Sequence, residues 1–315
     1  MRILHGLESR ASGPTVLTIG NFDGVHRGHE ALLAVLVARA RALGLPSTVM
    51  CFEPHPREFF APQQAPARLS SLRDKLERLA GLGVDQVYVC RFNAALAAME
   101  AQNFIDALLV RRLAVRHVVI GDDFRFGCKR RGDFALLEAA GLSAGFSVEA
   151  MHTVEIDGLR ASSSALRAAL ECGDLDLARR LQGRRFQLSG RVRHGNKLGR
   201  ELGYPTANLQ LHGRRLPLAG IFAVSVEGDG LAAQPGAASL GVRPTLGEGL
   251  QPSCEVFLLD FEGDLYRRHL RITFHKHLRE ERRFDTLDAL KAAIAADVAA
   301  TRAYFDNFHP DQTAV

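Results

Sequence analysis

Between residues 15 and 151, short apolar runs alternate with segments of helical period, and this alternation restricts the fold more than any other feature of the chain. TVLTIG (15–20), STVMCF (47–52), QVYVCR (86–91), HVVIGD (117–122) and FSVEAM (146–151) are the apolar runs. Largely continuous apolar strands are buried on both faces, as in a parallel sheet. Between them, residues 28–43 place Leu32, Leu33, Leu36 and Ala40 at helical spacing. Residues 70–83 open on a Ser-x-x-Asp cap signal and close on glycines, and further helices are expected near 102–113 and 132–140. The pattern predicts an α/β domain on a parallel sheet, whose ligands bind outside the carboxyl ends of the strands.

Near residue 184 the texture changes. FQLSGRVR, IFAVSV, AASLGV, CEVFLLD and LRITFH follow one another without helices, separated by Gly, Pro and Asn. This predicts an antiparallel sheet or small β-barrel. One helix closes the chain, with Asp285 as its expected cap and Leu287, Leu290, Ile294, Val298 and Tyr304 as its apolar face. The boundary is placed at Gly183, after a helical link over 174–181, giving domains 1–183 and 184–315.

No apolar run approaches the roughly 20 residues of a membrane span, and MRILHGLESRASG lacks a signal-peptide core. The five cysteines are scattered, with no C-x-x-C pair, and read as reduced core thiols of a cytoplasmic protein. A net charge of +5 suits anionic ligands, nucleotides or nucleic acid. With 7% aromatics and no Trp, however, the barrel offers few platforms for stacking bases.

GNFDGVHRGH (20–29) sits between the first strand run and the first helix. In a chain of this size and composition H-x-G-H is expected by chance about 0.04 times. A helix start offers unpaired N–H groups and a positive dipole end, both suited to phosphate. Gly20 and Gly24 permit a tight turn there, and Gly28 removes a side chain where a nucleotide must approach the backbone. His26 and His29, three apart, share one helix face and can donate to oxygens that gain charge in a transition state. An isolated pair would read as exposed loop histidines or a metal site. Here the strand, the glycines and the helix agree.

The extended form G-x-F-D-G-x-H-x-G-H resembles the bacterial bifunctional riboflavin kinase/FMN adenylyltransferase family (FAD synthetases). FEPHP (52–56), GDDFRFG (121–127), RASSSALR (160–167) and GNKLGRELGYPTAN (195–208) match that family in order, so the resemblance covers nearly the whole chain. It implies a Rossmann-like nucleotidyltransferase domain followed by a kinase barrel. The substrates are riboflavin, FMN and ATP; Mg²⁺ accompanies ATP, and FMN and FAD are substrate and products rather than cofactors. By resemblance, Gly20, Phe22, Gly28, Arg160, Ser163, Ser164 and Arg167 contact ATP or its phosphates, and His55, Asp123, Phe124 and Phe126 lie on the flavin side. Read alone, RASSSALR is an ordinary Ser-capped helix, and GDDFRFG is a loop packed by two aromatics.

In the second half, Gly195, Lys197, Gly199, Gly203 and Pro205 form the implied phosphate loop, which lacks the Walker order. Thr206 and Asn208 are the implied holders of Mg²⁺, where neutral oxygens suffice because the substrate supplies charge. Glu255 matches the family's catalytic glutamate, although spacing alone reads it as an outward strand residue. SLGVRPTLG (239–247) matches a loop near the flavin, and Arg279, in LREERRF, matches a residue that touches nucleotide or flavin. The chain departs from the family at DLYRR (264–268), where D-L-Y-G is usual, and at Ser164, where Thr is common. His275 and His277 share a strand face and read as exposed polar residues rather than a zinc site. The expected partners are small substrates, without nucleic acid or membrane, and the chain is expected to be a monomer or weak homo-oligomer. The competing readings are a single-activity adenylyltransferase with a non-catalytic barrel, and a barrel that binds nucleic acid.

Overall fold

Six parallel strands build the first sheet: β1 (Arg2–His5), β2 (Thr15–Ile19), β3 (Ser47–Glu53), β4 (Gln86–Arg91), β5 (Val115–Gly121) and β6 (Ser147–Met151). They lie in the order β1-β4-β3-β2-β5-β6. The computed structural model describes residues 1–6, 10–195, 198–211, 215–244 and 250–308. The runs of β2, β3 and β4 are buried on both faces as expected: every residue of β2 is buried, with Leu17 and Ile19 in one core cluster and Val16 in the other, whereas the edge strand β6 has no buried residue. Helix α1 (Arg27–Leu43) buries Leu33, Leu36 and Ala40 and ends at left-handed Gly44. Each large side chain so buried stabilises the fold by about 1.5–3 kcal/mol.

Helix α3 (Leu72–Gly81) and α6 (Phe134–Ala144) fall where the periodicity placed them. The expected helix near 102–113 is instead α4 (Ala94–Ala97), α5 (Ala101–Phe104) and a π-helical stretch, Ile105–Val110. Strand β1 and helix α2 (Pro56–Phe60) were not expected; each has only four or five residues, too few to show a period. A two-stranded ribbon, β7 (Glu155–Ile156) and β8 (Leu159–Arg160), leads to α7 (Ser163–Glu171) and α8 (Leu175–Gln182). The strand order reverses between β2 and β5. A doubly wound sheet opens its ligand crevice at such a point, outside the strand ends.

The chain forms two compact units, Met1–Pro66 with Leu72–Ser163 and Ala67–Ser71 with Ser164–Val315. The second unit holds a closed barrel ordered β10-β13-β12-β11-β14-β9. Its strands are β9 (Gln187–Arg193), β10 (Thr206–Leu209), β11 (Gly220–Gly228), β12 (Leu231–Pro244), β13 (Leu250–Leu258) and β14 (His269–Arg279). Alternation fills the interior: Leu188, Val192, Phe222, Val224, Ala238, Leu240, Cys254, Val256, Leu270, Ile272 and Phe274 are all buried. α9 (Leu198–Glu201) precedes β10, and α10 (Leu287–Asp306) closes the fold. The cap of α10 is Thr286 rather than Asp285; its hydroxyl accepts from the Ala289 N–H at 3.1 Å. Leu287 is 60% exposed and does not join the apolar face.

Arg267, in the DLYRR stretch, has a φ of +67°. Glycine adopts that left-handed backbone without steric cost, whereas an L side chain there costs about 1–2 kcal/mol. Cys51, Cys90 and Cys254 are buried free thiols, and burial pushes Cys90 and Cys254 up to about 12. Cys128 is half-buried and Cys172 exposed, so the core reading holds for three of the five. Among the described residues no helix is long and apolar enough to cross a membrane.

His275 is not an exposed polar residue. Its ring lies edge-on to Tyr304, Phe305 and Phe308 at 5.8, 5.0 and 5.1 Å, and Nε2 meets Ser225 Oγ at 2.9 Å. Burial, and then the Arg185 charge, pull its pKa down to about 4. The unfolded chain takes up this proton near pH 6.5 while the folded chain refuses it. Stability is therefore highest above that pH and falls as the pH drops toward 4, by about 3 kcal/mol in all. Urea midpoints between about pH 7 and 4.5 should fall, and more steeply than for His275→Gln. Parallel slopes for the two proteins would show that His275 does not titrate in this window.

Candidate functional sites

The crevice between β2 and β5 contains a cavity of about 260 Å³. It is bordered by Ile19, Gly20, Phe22, His26, Gly28 and His29 from the first loop and helix. Gly121, Asp122, Asp123 and Phe124 close the side after β5, and residues 151–154 and 160–162 the rest. Between β2 and α1 the backbone is strained: Phe22 and Val25 have φ of +49° and +40°, and Gly24 +80°. Non-glycine residues hold such angles where packing imposes them, and Phe22 and Val25 are 0% and 1% exposed.

His26 is the N-cap of α1 rather than part of its first turn. Its Nδ1 accepts from the His29 N–H at 3.3 Å, so Nε2–H is the donor that this ring can offer. The two imidazoles stack at 3.7 Å, and Phe22 lies 4.9 Å from the His29 ring. His26 is 6% exposed and the half-buried His29 lies nearer solvent. Gly28 permits a protein contact as well as a ligand approach: a Cβ there would lie 2.9 Å from the Ala161 carbonyl oxygen and 3.1 Å from His26 Nδ1.

Arg160 pairs with Asp123 at 2.6 Å, both more than half exposed, so a cation assigned to phosphate and an anion assigned to the flavin side hold one another. The Ser163 hydroxyl donates to the Asp23 carbonyl at 3.0 Å, tying the start of α7 to the strained loop. Ser164 is exposed on the first turn of α7, and Arg167 Nε donates to the Ala67 carbonyl at 2.6 Å within the second unit. Phe124 borders the cavity; Phe126 is 6% exposed and stacks beneath it at 5.6 Å, in the core. His55 caps α2, its Nδ1 accepting from the Arg57 N–H at 3.1 Å. His152, Thr153 and Val154, which border the cavity, were not singled out from the sequence. A lone exposed His in a loop carries no spacing signal.

The second cavity, about 630 Å³, lies on the outer face of the barrel under α10. Thr206, Glu255, Phe257 and Ser239 border it from the strands, and Leu290, Ile294 and Val298 from α10. TANL (Thr206–Leu209) is a strand: Ala207 and Leu209 point inward, which turns Thr206 and Asn208 outward. Asn208 is the register partner of Glu255, and Thr206 Oγ1 donates to Glu255 Oε2 at 3.2 Å. A Cβ on Gly195 would lie 2.6 Å from the Asn208 amide, so this glycine makes room for that side chain. Gly199 borders the cavity, while Gly203, with φ of +88°, and Pro205 turn the chain into β10. Lys197 and part of SLGVRPTLG lie outside the described residues. Arg279 borders the cavity and forks onto Asp297 of α10 at 2.8 and 2.7 Å.

The family described as FAD synthetase matches residues 8–165, and that described as riboflavin kinase matches 182–305. The bifunctional riboflavin kinase/FMN adenylyltransferase of Pseudomonas fluorescens is 55% identical over 303 residues, covering 96% of each chain. That of Escherichia coli K12 is 48% identical over 308 residues, covering 97% of this chain and 98% of the relative. A crystal structure from Streptococcus pneumoniae, described as a macrolide-efflux protein, superposes with a TM-score of 0.80 at 28% identity, covering 98% of this chain and all of that one. Neither a non-catalytic barrel nor a nucleic-acid-binding one is favoured by these matches.

Proposed function

The chain belongs to the bifunctional riboflavin kinase/FMN adenylyltransferase family, and on that premise we propose which of its residues carry each reaction. The two reactions phosphorylate riboflavin to FMN and adenylylate FMN to FAD, both with ATP. The first takes place on the barrel and the second at the β2–α1 crevice. We assign 1–183 to adenylyl transfer and 184–315 to the kinase; residues 164–181 precede the riboflavin kinase match although they belong to the second unit. The five free cysteines, three of them buried, fit a cytoplasmic enzyme. The chain acts as a monomer or weak homo-oligomer, without nucleic acid or membrane.

In adenylyl transfer the FMN phosphate attacks the α-phosphorus of ATP and pyrophosphate leaves. A phosphate monoester with a second pKa near 6 is already an anionic nucleophile at pH 7, so no general base is needed. The residues need only align the groups and meet charge. His26 Nε2–H and the His29 ring donate to the phosphate oxygens at the dipole end of α1. Arg160, released from Asp123, meets the triphosphate with Ser163, Ser164 and Arg167, and Gly20, Phe22 and Gly28 shape the floor. Asp123, Phe124 and His55 lie on the flavin side, with Phe126 supporting Phe124.

In the kinase step the nucleophile is a neutral ribityl hydroxyl. Glu255 accepts its proton as the hydroxyl attacks the γ-phosphorus and ADP leaves. The observation that carries this assignment is Glu255, hydrogen-bonded to Thr206 and in register with Asn208, on the wall of the larger cavity. Thr206 and Asn208 present neutral oxygens beside a carboxylate, a donor set that fits Mg²⁺ on nucleotide phosphates. Bound there, the ion would neutralise phosphate charge. Gly195, Lys197, Gly199, Gly203 and Pro205 form the loop over the phosphates, and Arg279 the flavin side.

The deciding experiment supplies riboflavin, ATP and Mg²⁺ and separates the products by chromatography. FMN should rise first and FAD follow at its expense. FAD made only from added FMN, with no FMN made from riboflavin, would return the barrel to a non-catalytic role.

A further inference from the structure

α10 packs against β11 and β12, and the residues it buries are Ala293, Asp297 and Thr301, at i, i+4 and i+8. Leu290, Ile294 and Val298, on the adjoining stripe, are only half-buried and border the kinase cavity. The apolar stripe that fastens an ordinary helix to its core thus faces the cavity, and the buried seam holds an alanine, a carboxylate and a hydroxyl. The far end of α10 is anchored by Tyr304 and Phe305 on His275 and by Arg302 on Asp260. The cavity half is held by the Arg279–Asp297 fork. Arg279 Nε donates to Asp297 Oδ1 at 2.8 Å and Nη2 to Oδ2 at 2.7 Å, while Nη1 donates to the Glu280 carbonyl at 3.0 Å. All three guanidinium nitrogens are therefore engaged within the protein, and the group lies 5.7 Å over the Phe284 ring. The two side chains are 24% and 10% exposed, so water screens this bidentate pair little.

Resting on the assignment of this cavity to riboflavin phosphorylation, we infer that Asp297 is a positioning residue of that reaction. With Arg279 it clasps the cavity half of α10 in place, and Arg279 serves the flavin side through Asp297 rather than by touching a ligand. A pocket whose wall is docked only part of the time binds its ligand more weakly, in proportion to the docked fraction. Ligand that fills the cavity covers Leu290, Ile294 and Val298, and their burial returns the helix to its place. Losing the clasp therefore raises KM for riboflavin and spares kcat.

The test is steady-state riboflavin phosphorylation by the full-length chain, with FMN adenylylation by the same preparations as the control for folding. Asp297→Asn should raise KM for riboflavin roughly tenfold and leave kcat within about threefold. Arg279→Gln strands the buried carboxylate and should raise KM at least as far. In the double variant, Arg279→Gln with Asp297→Asn, the two amides can hydrogen-bond each other and no charge is buried. Its KM should return to within about threefold of the parent value. Hydrogen exchange gives a second readout. Amides of residues 287–298 should exchange faster in ligand-free Asp297→Asn than in the parent, and slow again when riboflavin is added. A fall in kcat with unchanged KM, or a double variant as impaired as Arg279→Gln alone, overturns the inference, because an amide pair cannot replace a guanidinium that touches ligand. Should a single variant lose its fold, the double variant decides by the same criterion. A parent chain that makes FAD from FMN but no FMN from riboflavin fails the assignment of the cavity instead.

Discussion

Replacing His29 with alanine should stop FAD formation while FMN continues to accumulate from riboflavin. The His29 ring stacks at 3.7 Å on His26 and sits 4.9 Å from Phe22, at the first turn of α1 and on the wall of the crevice. It is only half-buried, so its truncation leaves the core intact. What is lost is a donor aimed at oxygens that gain charge, and removing one such donor costs about 10²–10³ in kcat. The kinase cavity is bordered by residues numbered 199 and above, none of which this change touches. The measurement is kcat for each half-reaction. Loss of both activities in a protein that keeps its circular dichroism would count against separate sites.

Glu255→Gln should divide the two chemistries in the opposite sense. Glutamine keeps the size and an oxygen that can accept from Thr206, which now donates to Glu255 Oε2 at 3.2 Å. It cannot take the ribityl proton. Loss of a general base costs about 10²–10⁴ in rate, and a loose transition state with late proton transfer favours the lower end. FMN supplied directly should still be adenylylated at a near-normal rate, because its phosphate is ionised without help. Persistent FMN production would reduce Glu255 to an outward strand glutamate.

The alternation of apolar runs and helical periods was enough to expect the parallel sheet. A strand buried on both faces must be apolar throughout, and α1 must repeat its apolar residues every three or four positions. The barrel was legible for the complementary reason, strands without helices between them. Some of the shortest elements escaped: β1, α2 and, above all, β10, which follows Pro205 and carries Asn208, residues more common in turns than in strands. The site residues were legible because GNFDGVHRGH, RASSSALR and PTAN are local strings, and a helix start or a hydroxyl run sits in consecutive residues. Their partners were not. That Arg160 meets Asp123, that the Ser163 hydroxyl ties to the Asp23 carbonyl, and that Glu255 faces Thr206 while Ser239 beside it turns to Glu281 depend on contacts between residues 37 to 140 positions apart. Periodicity fixes which face a side chain takes on its own element. Strand order and register decide which other face it meets, and only the folded sheet and the closed barrel settle those.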